Sequence, residues 1–217
     1  MVLYLQKNVC RLCIKYLAMA VFVCMLCSCH LFDSKNEELP YYNAKELTPQ
    51  WGIKNPHTIA NFNFQNQSGN SYSTDSLRGK IYVANFFFTT CPGICPKMTH
   101  NLKKLQDSIL SMQQVNIVSF SVMPWVDTVG RLKKYGIENE INPSVWHLLT
   151  GDKKAVYTLG RGSYFADENN TSDTSSFLHT DKMFLVDKEQ HIRGVYNATR
   201  GEDINRVLND IKILLKD

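Results

Sequence analysis

Two cysteines separated by three residues are the part of this chain best suited to chemistry. Cys91 and Cys95 lie in the segment Cys-Pro-Gly-Ile-Cys-Pro, shortly after an apolar run that ends at Phe88. Beyond them, apolar residues recur at three- and four-residue steps, as in an amphipathic helix. The pattern predicts a buried strand followed by a helix, with both thiols at the junction. Backbone N–H groups and the helix dipole at such a junction stabilise a thiolate and lower its pKa.

The other cysteines lie near the amino terminus, where the sequence is typical of a targeting segment. A basic stretch, Lys7 to Lys15, precedes an uncharged apolar run from Leu17 to Cys27. That run is short for a bilayer span but suits the core of a secretory signal. The residues Leu26-Cys27-Ser28-Cys29 resemble the bacterial lipoprotein signal, in which the last cysteine becomes the lipidated first residue of the mature protein. The resemblance makes Cys29 the lipid-attachment residue, and an uncleaved membrane anchor is the alternative.

These features predict three parts of the chain. Residues 1–28 form a lipoprotein-type signal peptide, residues 29–55 a flexible polar tether, and residues 56–217 the folded domain. The domain then lies in the cell envelope on the extracytoplasmic (periplasmic) side, held at the membrane by a lipid anchor. Only Cys91 and Cys95 remain in it. Two lone thiols in an exported domain indicate a redox pair or soft-metal ligands rather than a disulfide framework.

The charge of the chain gives no indication of nucleic-acid binding. The formal net charge is +4, from 24 basic and 20 acidic residues, and three of the bases are Lys7, Arg11 and Lys15 in the targeting segment. Without those three, 21 bases face 20 acids and no basic run remains. We therefore expect no nucleic-acid partner.

The order of the predicted elements indicates an α/β fold. A short hairpin over residues 58–74 is followed by buried strands at 81–88 and 115–122, each leading into an amphipathic helix, and by a brief strand and a helix. Two further strands and a closing helix complete the chain. Parallel crossovers combined with a closing antiparallel hairpin predict a thioredoxin-like fold, with a central mixed sheet flanked by helices and an N-terminal β-hairpin.

Two features distinguish this dithiol from that of an ordinary thiol–disulfide exchanger. The three-residue spacing gives both sulfurs room to converge on a metal. The position opposite the dithiol, where thioredoxin-like oxidoreductases carry a cis-proline, has His179, since the last proline of the chain is Pro143. Two thiolates and one imidazole form a soft three-coordinate site that suits Cu(I). Zinc usually takes a fourth ligand, and none is obvious.

At these residues the chain resembles the Sco/SenC family of membrane-tethered copper proteins. The resemblance runs from Pro56 to the carboxyl end and is carried by residues 86–98, 121–128 and 146–151 together with His179. It implies copper, as Cu(I) and also Cu(II), held by Cys91, Cys95 and His179. It further implies delivery of copper to, or reduction of cysteines in, the dinuclear copper site of cytochrome c oxidase subunit II or another copper-dependent oxidase. A copper donor chaperone would be a second partner.

One residue departs from the pattern of this family. Met123 stands where the family usually has an acidic residue. A thioether is a soft donor, so Met123 is a secondary candidate ligand, and core packing is the alternative.

Three functions follow, in order of preference. The first is a copper chaperone for oxidase assembly, and the second is a membrane-tethered thiol–disulfide reductase that maintains the cysteines of the partner. The third is a thiol peroxidase in which Cys91 attacks and Cys95 resolves. Peroxidases of this fold usually have a threonine three residues before the attacking cysteine and an arginine across the site. Thr89 is only two residues before Cys91, and the sequence places no arginine there.

Overall fold

The structure is a computed structural model and describes residues 38–167 and 178–216. The predicted signal peptide and the candidate lipid-attachment residue Cys29 lie outside these ranges. The described residues belong to a single unit that begins at Glu38. In this part of the chain, no helix combines the length and the hydropathy needed to cross a bilayer.

The described residues form seven strands and four α-helices, which alternate as the sequence predicts. The strands are β1 (Asn63–Asn66), β2 (Ser71–Ser73), β3 (Ile81–Phe87), β4 (Val115–Ser121), β5 (Trp146–Thr150), β6 (Lys182–Val186) and β7 (Ile192–Asn197). The helices are α1 (Cys95–Ile109), α2 (Val129–Glu138), α3 (Lys153–Gly162) and α4 (Gly201–Leu214), and a 3-10 helix covers Thr74–Leu77.

All seven strands belong to one mixed sheet in the order β2-β1-β5-β4-β3-β6-β7. Strands β3, β4 and β5 are parallel, whereas β6 and β7 continue the sheet antiparallel on one side and the β1–β2 hairpin does so on the other. This arrangement confirms the predicted thioredoxin-like fold with an N-terminal hairpin.

Both faces of the sheet are covered, which explains the continuous apolar composition of its central strands. Strand β3 is buried at every position. Alternate side chains pack into two separate cores. Ile81, Val83 and Phe87 join residues of α1 and α4, while Tyr82, Ala84 and Phe86 join residues of α3. The strand that leads to Cys91 is therefore fixed from both sides.

Residues 38–55, which the sequence predicts as part of the tether, pack against the domain from Glu38 onward. Leu39 is buried, and its carbonyl oxygen accepts a 2.6 Å hydrogen bond from Nη2 of Arg193. The same guanidinium lies 4.0 Å from the ring centroid of Tyr41. The amide of Tyr42 donates to the carbonyl oxygen of Ile192 in β7 at 3.1 Å.

The first turns of three helices follow local sequence signals. Pro96 lies in the first turn of α1. Its lack of an N–H group costs nothing there, because the N–H groups of the first turn have no partner within the helix. Thr128 and Asp152 cap α2 and α3 by accepting hydrogen bonds from backbone amides. Asp127, the residue before the capping Thr128, turns inward and is fully buried.

Candidate functional site

The dithiol lies where several chain segments meet at one edge of the sheet. Cys91 and Cys95 follow the carboxyl end of β3, and the loop after the parallel neighbour β4 reaches the same edge. Strand β6 runs antiparallel to β3, with Met183 opposite Asn85, so the residues that precede β6 also arrive there. The topology thus brings His179 to the edge that carries the thiols, although 84 positions separate it from Cys95 in the sequence.

Both thiols are largely protected from solvent. Cys91 is 9% exposed and Cys95 4% exposed, and both are free cysteines. Cys95 is the first residue of α1, and the residue before it, Ile94, provides no side-chain cap. The backbone N–H groups at this end of the helix are consequently available to the sulfur of Cys91.

The two thiols have opposite ionisation tendencies. Burial acts to raise the pKa of Cys91, but hydrogen bonds from the Cys95 thiol and from the backbone N–H groups of Cys95, Gly93 and Ile94 lower that pKa overall. For Cys95, burial, the hydrogen bond that its thiol gives to Cys91 and the negative charges of Cys91 and Asp127 raise the pKa to about 12. The arrangement favours a Cys91 thiolate that is stabilised by a Cys95 thiol.

A buried carboxylate holds the segment that leads into the dithiol. Asp127 accepts hydrogen bonds from the hydroxyl of Thr89 at 2.5 Å, from the amide of Thr89 at 3.2 Å and from the hydroxyl of Ser121 at 2.6 Å. The Nε atom of Arg131 lies 4.0 Å from the carboxylate and donates to Oγ1 of Thr89 at 2.9 Å. Thr89, two residues before Cys91, is thereby fixed to both β4 and α2.

Sequence reasoning missed Asp127 and Arg131 as parts of the site. Thr89 and Asp127 lie 38 positions apart, so only the fold shows that they meet. The signal available in the sequence was that Asp127 stands next to Thr128. Because Thr128 alone can cap the helix, Asp127 was left for another role. The sequence places no arginine across the site, and the structure shows that Arg131 donates to Thr89. The spacing between Thr89 and Cys91 still differs from that of the peroxidases.

His179 shares a small cavity with Cys95. Its side chain is exposed, and it lines a cavity of about 10 Å³ together with Cys95, Ile94 and Val122. This is close to the space that a single water molecule needs. Among the described residues, no three histidine, cysteine or acidic side chains are arranged closely enough to hold a metal ion. The structure therefore brings His179 to the same cavity without closing a three-ligand site.

Two further side chains, those of Met123 and Tyr135, belong to the segments around the site. Met123 is half-buried, and its amide is hydrogen-bonded to Oγ of Ser121 at 3.2 Å. It is not among the residues that line the cavity. The hydroxyl of Tyr135 is bonded to Oγ1 of Thr99 at 2.8 Å. Burial, and the charges of Cys95, Cys91 and Asp127, raise the pKa of Tyr135, so this side chain stays a neutral hydroxyl beside the dithiol.

Comparison with known proteins identifies the family. Residues 52–216 match the model of the SCO1/SenC family, which is most of the chain. The chain belongs to the SCO1/SenC family. The SCO1 protein homolog of Bacillus subtilis (strain 168) is 30% identical over 164 residues, covering 74% of this chain and 85% of the homolog.

Solved structures of the SCO1/SenC family share the fold. A SCO1/SenC family lipoprotein from Bacillus anthracis is 28% identical with a TM-score of 0.65, covering 76% of this chain and 99% of that one. BsSco, described as having a disulfide switch and as a member of the Sco family of cytochrome c oxidase assembly proteins, is 29% identical with a TM-score of 0.64, covering 73% and 93%. ScoI of Bradyrhizobium japonicum, solved with copper bound, is 25% identical with a TM-score of 0.51, covering 69% and 98%.

Proposed function

We propose that this SCO1/SenC protein is a copper chaperone that binds Cu(I) through Cys91, Cys95 and His179 and acts in assembly of the dinuclear copper site of cytochrome c oxidase. The observation that carries the proposal is a dithiol with opposite pKa shifts beside a small cavity that His179 also lines. The copper-bound ScoI structure and the assembly role described for BsSco agree with it.

The donor set suits a soft monovalent ion. Thiolate sulfur and imidazole nitrogen favour Cu(I), whereas Zn²⁺ usually takes four ligands. Cys91 already favours the thiolate, and binding of the ion would replace the proton that Cys95 holds. The exposed ring of His179 has to turn toward the sulfurs to complete the site. Met123 stays a secondary candidate for a soft contact.

Replacing His179 by Ala tests this assignment. Because the imidazole supplies one of three ligands, we expect the affinity for Cu(I), measured by competition with a chromophoric Cu(I) chelator, to fall by about 100-fold or more. The exchange of the dithiol with glutathione disulfide should continue. His100→Ala is the matched control, since His100 is exposed on α1. Equal Cu(I) affinities for the His179 variant and the unmodified protein would remove His179 from the site.

A second candidate is a thiol–disulfide reductase that keeps the cysteines of the partner reduced. The observation that favours it is that both cysteines are free thiols at the start of α1, where backbone N–H groups favour a Cys91 thiolate. The Cys91 thiolate would attack the disulfide of the partner and release one partner thiolate. Cys95 would then give up its proton and attack the mixed disulfide, which forms the Cys91–Cys95 disulfide and frees the second partner thiol. If His179→Ala abolished Cu(I) binding but left oxidase assembly in cells intact, the reductase would be the better assignment.

We further propose that Cys29 carries a lipid and that the domain lies outside the cytoplasm. The lipoprotein signal pattern and the Bacillus anthracis relative, described as a lipoprotein, support this location. Mass spectrometry of the amino-terminal peptide of the mature protein tests it. An unmodified Cys29, or an uncleaved residue 1–28 segment, would exclude lipid attachment there.

A further inference from the structure

A basic groove lies on α3, away from the dithiol itself. It has a volume of about 730 Å³, and its lining includes Lys45, Lys153, Lys154 and Arg161 but only one acid, Asp152. The carboxylate of Asp152 accepts a hydrogen bond from the amide of Ala155 as the cap of α3. Arg161 is paired with Asp167 at 2.7 Å.

The positive charge of this groove comes mainly from its three lysines. In residues 38–167 and 178–216, no ion pair involves Lys45, Lys153 or Lys154. All three are exposed. The groove therefore has an uncompensated positive charge.

An exposed tryptophan stands at one end of the groove. Trp125 is 53% exposed, in contrast to most large apolar side chains of the domain. The Nζ atom of Lys153 lies 4.8 Å from the centroid of its ring. This cation–π contact orients the indole without burying it. Tryptophan is enriched among the strongest contacts of protein interfaces, and the rim around such contacts is polar.

The patch is joined to the dithiol through the loop after β4. Val122 lines the cavity shared by Cys95 and His179, and Asp127 holds Thr89 in front of Cys91. Trp125 lies between them in this loop. On the other side, the hydroxyl of Tyr157 in α3 donates to the carbonyl oxygen of Val122 at 3.1 Å. A protein bound on the patch would therefore contact the loop whose Val122 lines the cavity of Cys95 and His179.

We propose that Trp125, Lys45, Lys153 and Lys154 form a docking surface for an acidic face of the protein whose cysteines the dithiol serves. The inference rests on the proposed function, and the uncompensated positive charge is what selects an acidic partner. Charge complementarity raises the association rate and orients the encounter, while a central aromatic side chain slows dissociation.

Charge reversal tests the docking surface on the full chain. The probe is the soluble copper-binding domain of cytochrome c oxidase subunit II, with its cysteine pair oxidised to test disulfide exchange and reduced to test Cu(I) transfer. For K153E/K154E, we expect the second-order rate constants to fall about tenfold at low salt, and the difference to shrink as salt screens the charges. Trp125→Ala should slow both reactions about tenfold at all salt concentrations.

The matched control is K133E/K134E, which makes the same charge change on α2, where both lysines are exposed. It should react nearly as fast as the unmodified chain. Reaction with glutathione disulfide, which needs no docking surface, should be unchanged in every variant and shows that the dithiol is intact.

The outcomes separate the two proposals. If the unmodified chain reacts with the oxidase domain and K153E/K154E reacts equally fast, the docking surface is wrong and the proposed function stands. If the unmodified chain neither exchanges nor transfers Cu(I), the proposed function fails and the docking surface fails with it. If K153E/K154E reacted with the oxidase domain at unchanged rates but no longer bound phosphatidylglycerol vesicles, the proposal would be overturned in favour of a membrane contact.

Discussion

At the scale of single residues, the site depends on the difference between two otherwise identical thiols. Cys91 receives hydrogen bonds from backbone N–H groups at the start of α1, whereas Cys95 is the more deeply buried and donates to its neighbour. The helix terminus and the deeper burial of Cys95 therefore favour the thiolate at Cys91. The side chains around the pair determine how firmly this arrangement is held.

Asp127 is the residue on which we expect the segment before Cys91 to depend most. Replacing it by Asn keeps the volume but removes the charged acceptor of two hydroxyl groups and the negative charge that faces Arg131 at 4.0 Å. Since hydrogen bonds to a buried charge contribute more than neutral ones, the free energy of unfolding should decrease by about 2 kcal/mol or more. Urea denaturation measures this change.

Asp152→Asn is the control for that substitution. It makes the same chemical change at an exposed cap, where Asn is as good a capping residue as Asp. Its effect should be within about 0.5 kcal/mol of zero. If both variants were equally stable, the Asp127 network would not stabilise the segment.

His147 should make the stability of the domain depend on pH. Burial, with the nearby charge of Lys80, lowers the pKa of His147 to about 4. Its Nδ1 atom has no hydrogen-bond partner among the described residues. The unfolded chain, with a histidine pKa near about 6.5, binds this proton at a higher pH than the folded chain. The free energy of unfolding is therefore unaffected by this proton above about pH 6.5. As the pH falls toward 4, it decreases by on the order of 3 kcal/mol.

Urea midpoints between pH 7 and pH 4 measure this dependence. His147→Gln should make the profile flatter than that of the unmodified protein, because Gln has no proton to gain in this range. His100→Gln, at an exposed position of α1, should leave the profile unchanged. A profile that is equally steep with and without His147 would contradict the assignment.

The sequence predicted the site residues of one local pattern, and the family resemblance added the distant His179, but Asp127 and Arg131, which meet Thr89 across the fold, were missed. Cys91, Cys95 and Pro96 occupy the strand-to-helix junction that their spacing indicates. Asp127 reads in sequence as a helix cap, and only the parallel pairing of β3 and β4 turns it toward Thr89. A side chain that could either cap the next helix or bond to a distant residue cannot be assigned until the fold is known.

At the scale of elements, α3 is packed closely against the segment that precedes His179. A Cβ atom on Gly160 would lie 2.6 Å from Cδ2 of Leu178 and 3.1 Å from Cε1 of Phe86. Both neighbours are buried, so the substitution has to displace them. Leu178 is next to His179, which links the position of the helix to that of the imidazole.

Gly160→Ala should therefore destabilise the domain and disturb the His179 end of the site. We expect a loss of about 1 to 3 kcal/mol in the free energy of unfolding and a weaker affinity for Cu(I). Gly162→Ala, at the end of the same helix with no atom within 4 Å of the new Cβ, should change neither by much. Thermal unfolding and chelator competition measure the two effects. Equal behaviour of the two variants would show that α3 does not constrain Leu178.

Helices and strands were the most predictable features of the molecule. Continuous apolar runs placed β3 and β4 within one residue of their observed ends. The boundary of the folded unit was harder to predict. Residues 38–55 are polar and interrupted by prolines, and nothing in that composition shows that Arg193, more than 150 positions later, binds the carbonyl oxygens of Leu39 and Pro40.

At the scale of the whole molecule, the packing of residues 38–55 predicts that the starting residue of a shortened chain matters. A chain that begins at Glu38 retains the burial of Leu39 and the contacts of Arg193. A chain that begins at Pro56 loses both. We expect the shorter chain to be less stable by about 2 to 4 kcal/mol, which lowers Tm by roughly 5–10 °C for a domain of this size.

Calorimetry of the two shortened chains measures this difference. Leu39→Ala in the longer chain should show part of the loss, because it removes only the buried side chain. Identical melting temperatures for the chains beginning at Glu38 and Pro56 would indicate that residues 38–55 contribute nothing to the fold.

The hydrogen bond from Tyr42 to Ile192 also affects the behaviour of the protein in solution. Strand β7 is the last strand of the sheet, and this bond, with the bridge between Thr58 and His191, occupies part of its outer side. An uncovered outer strand is a template for pairing with another molecule. The amino-terminal residues of the domain thus cover part of an edge that could otherwise pair with a second molecule.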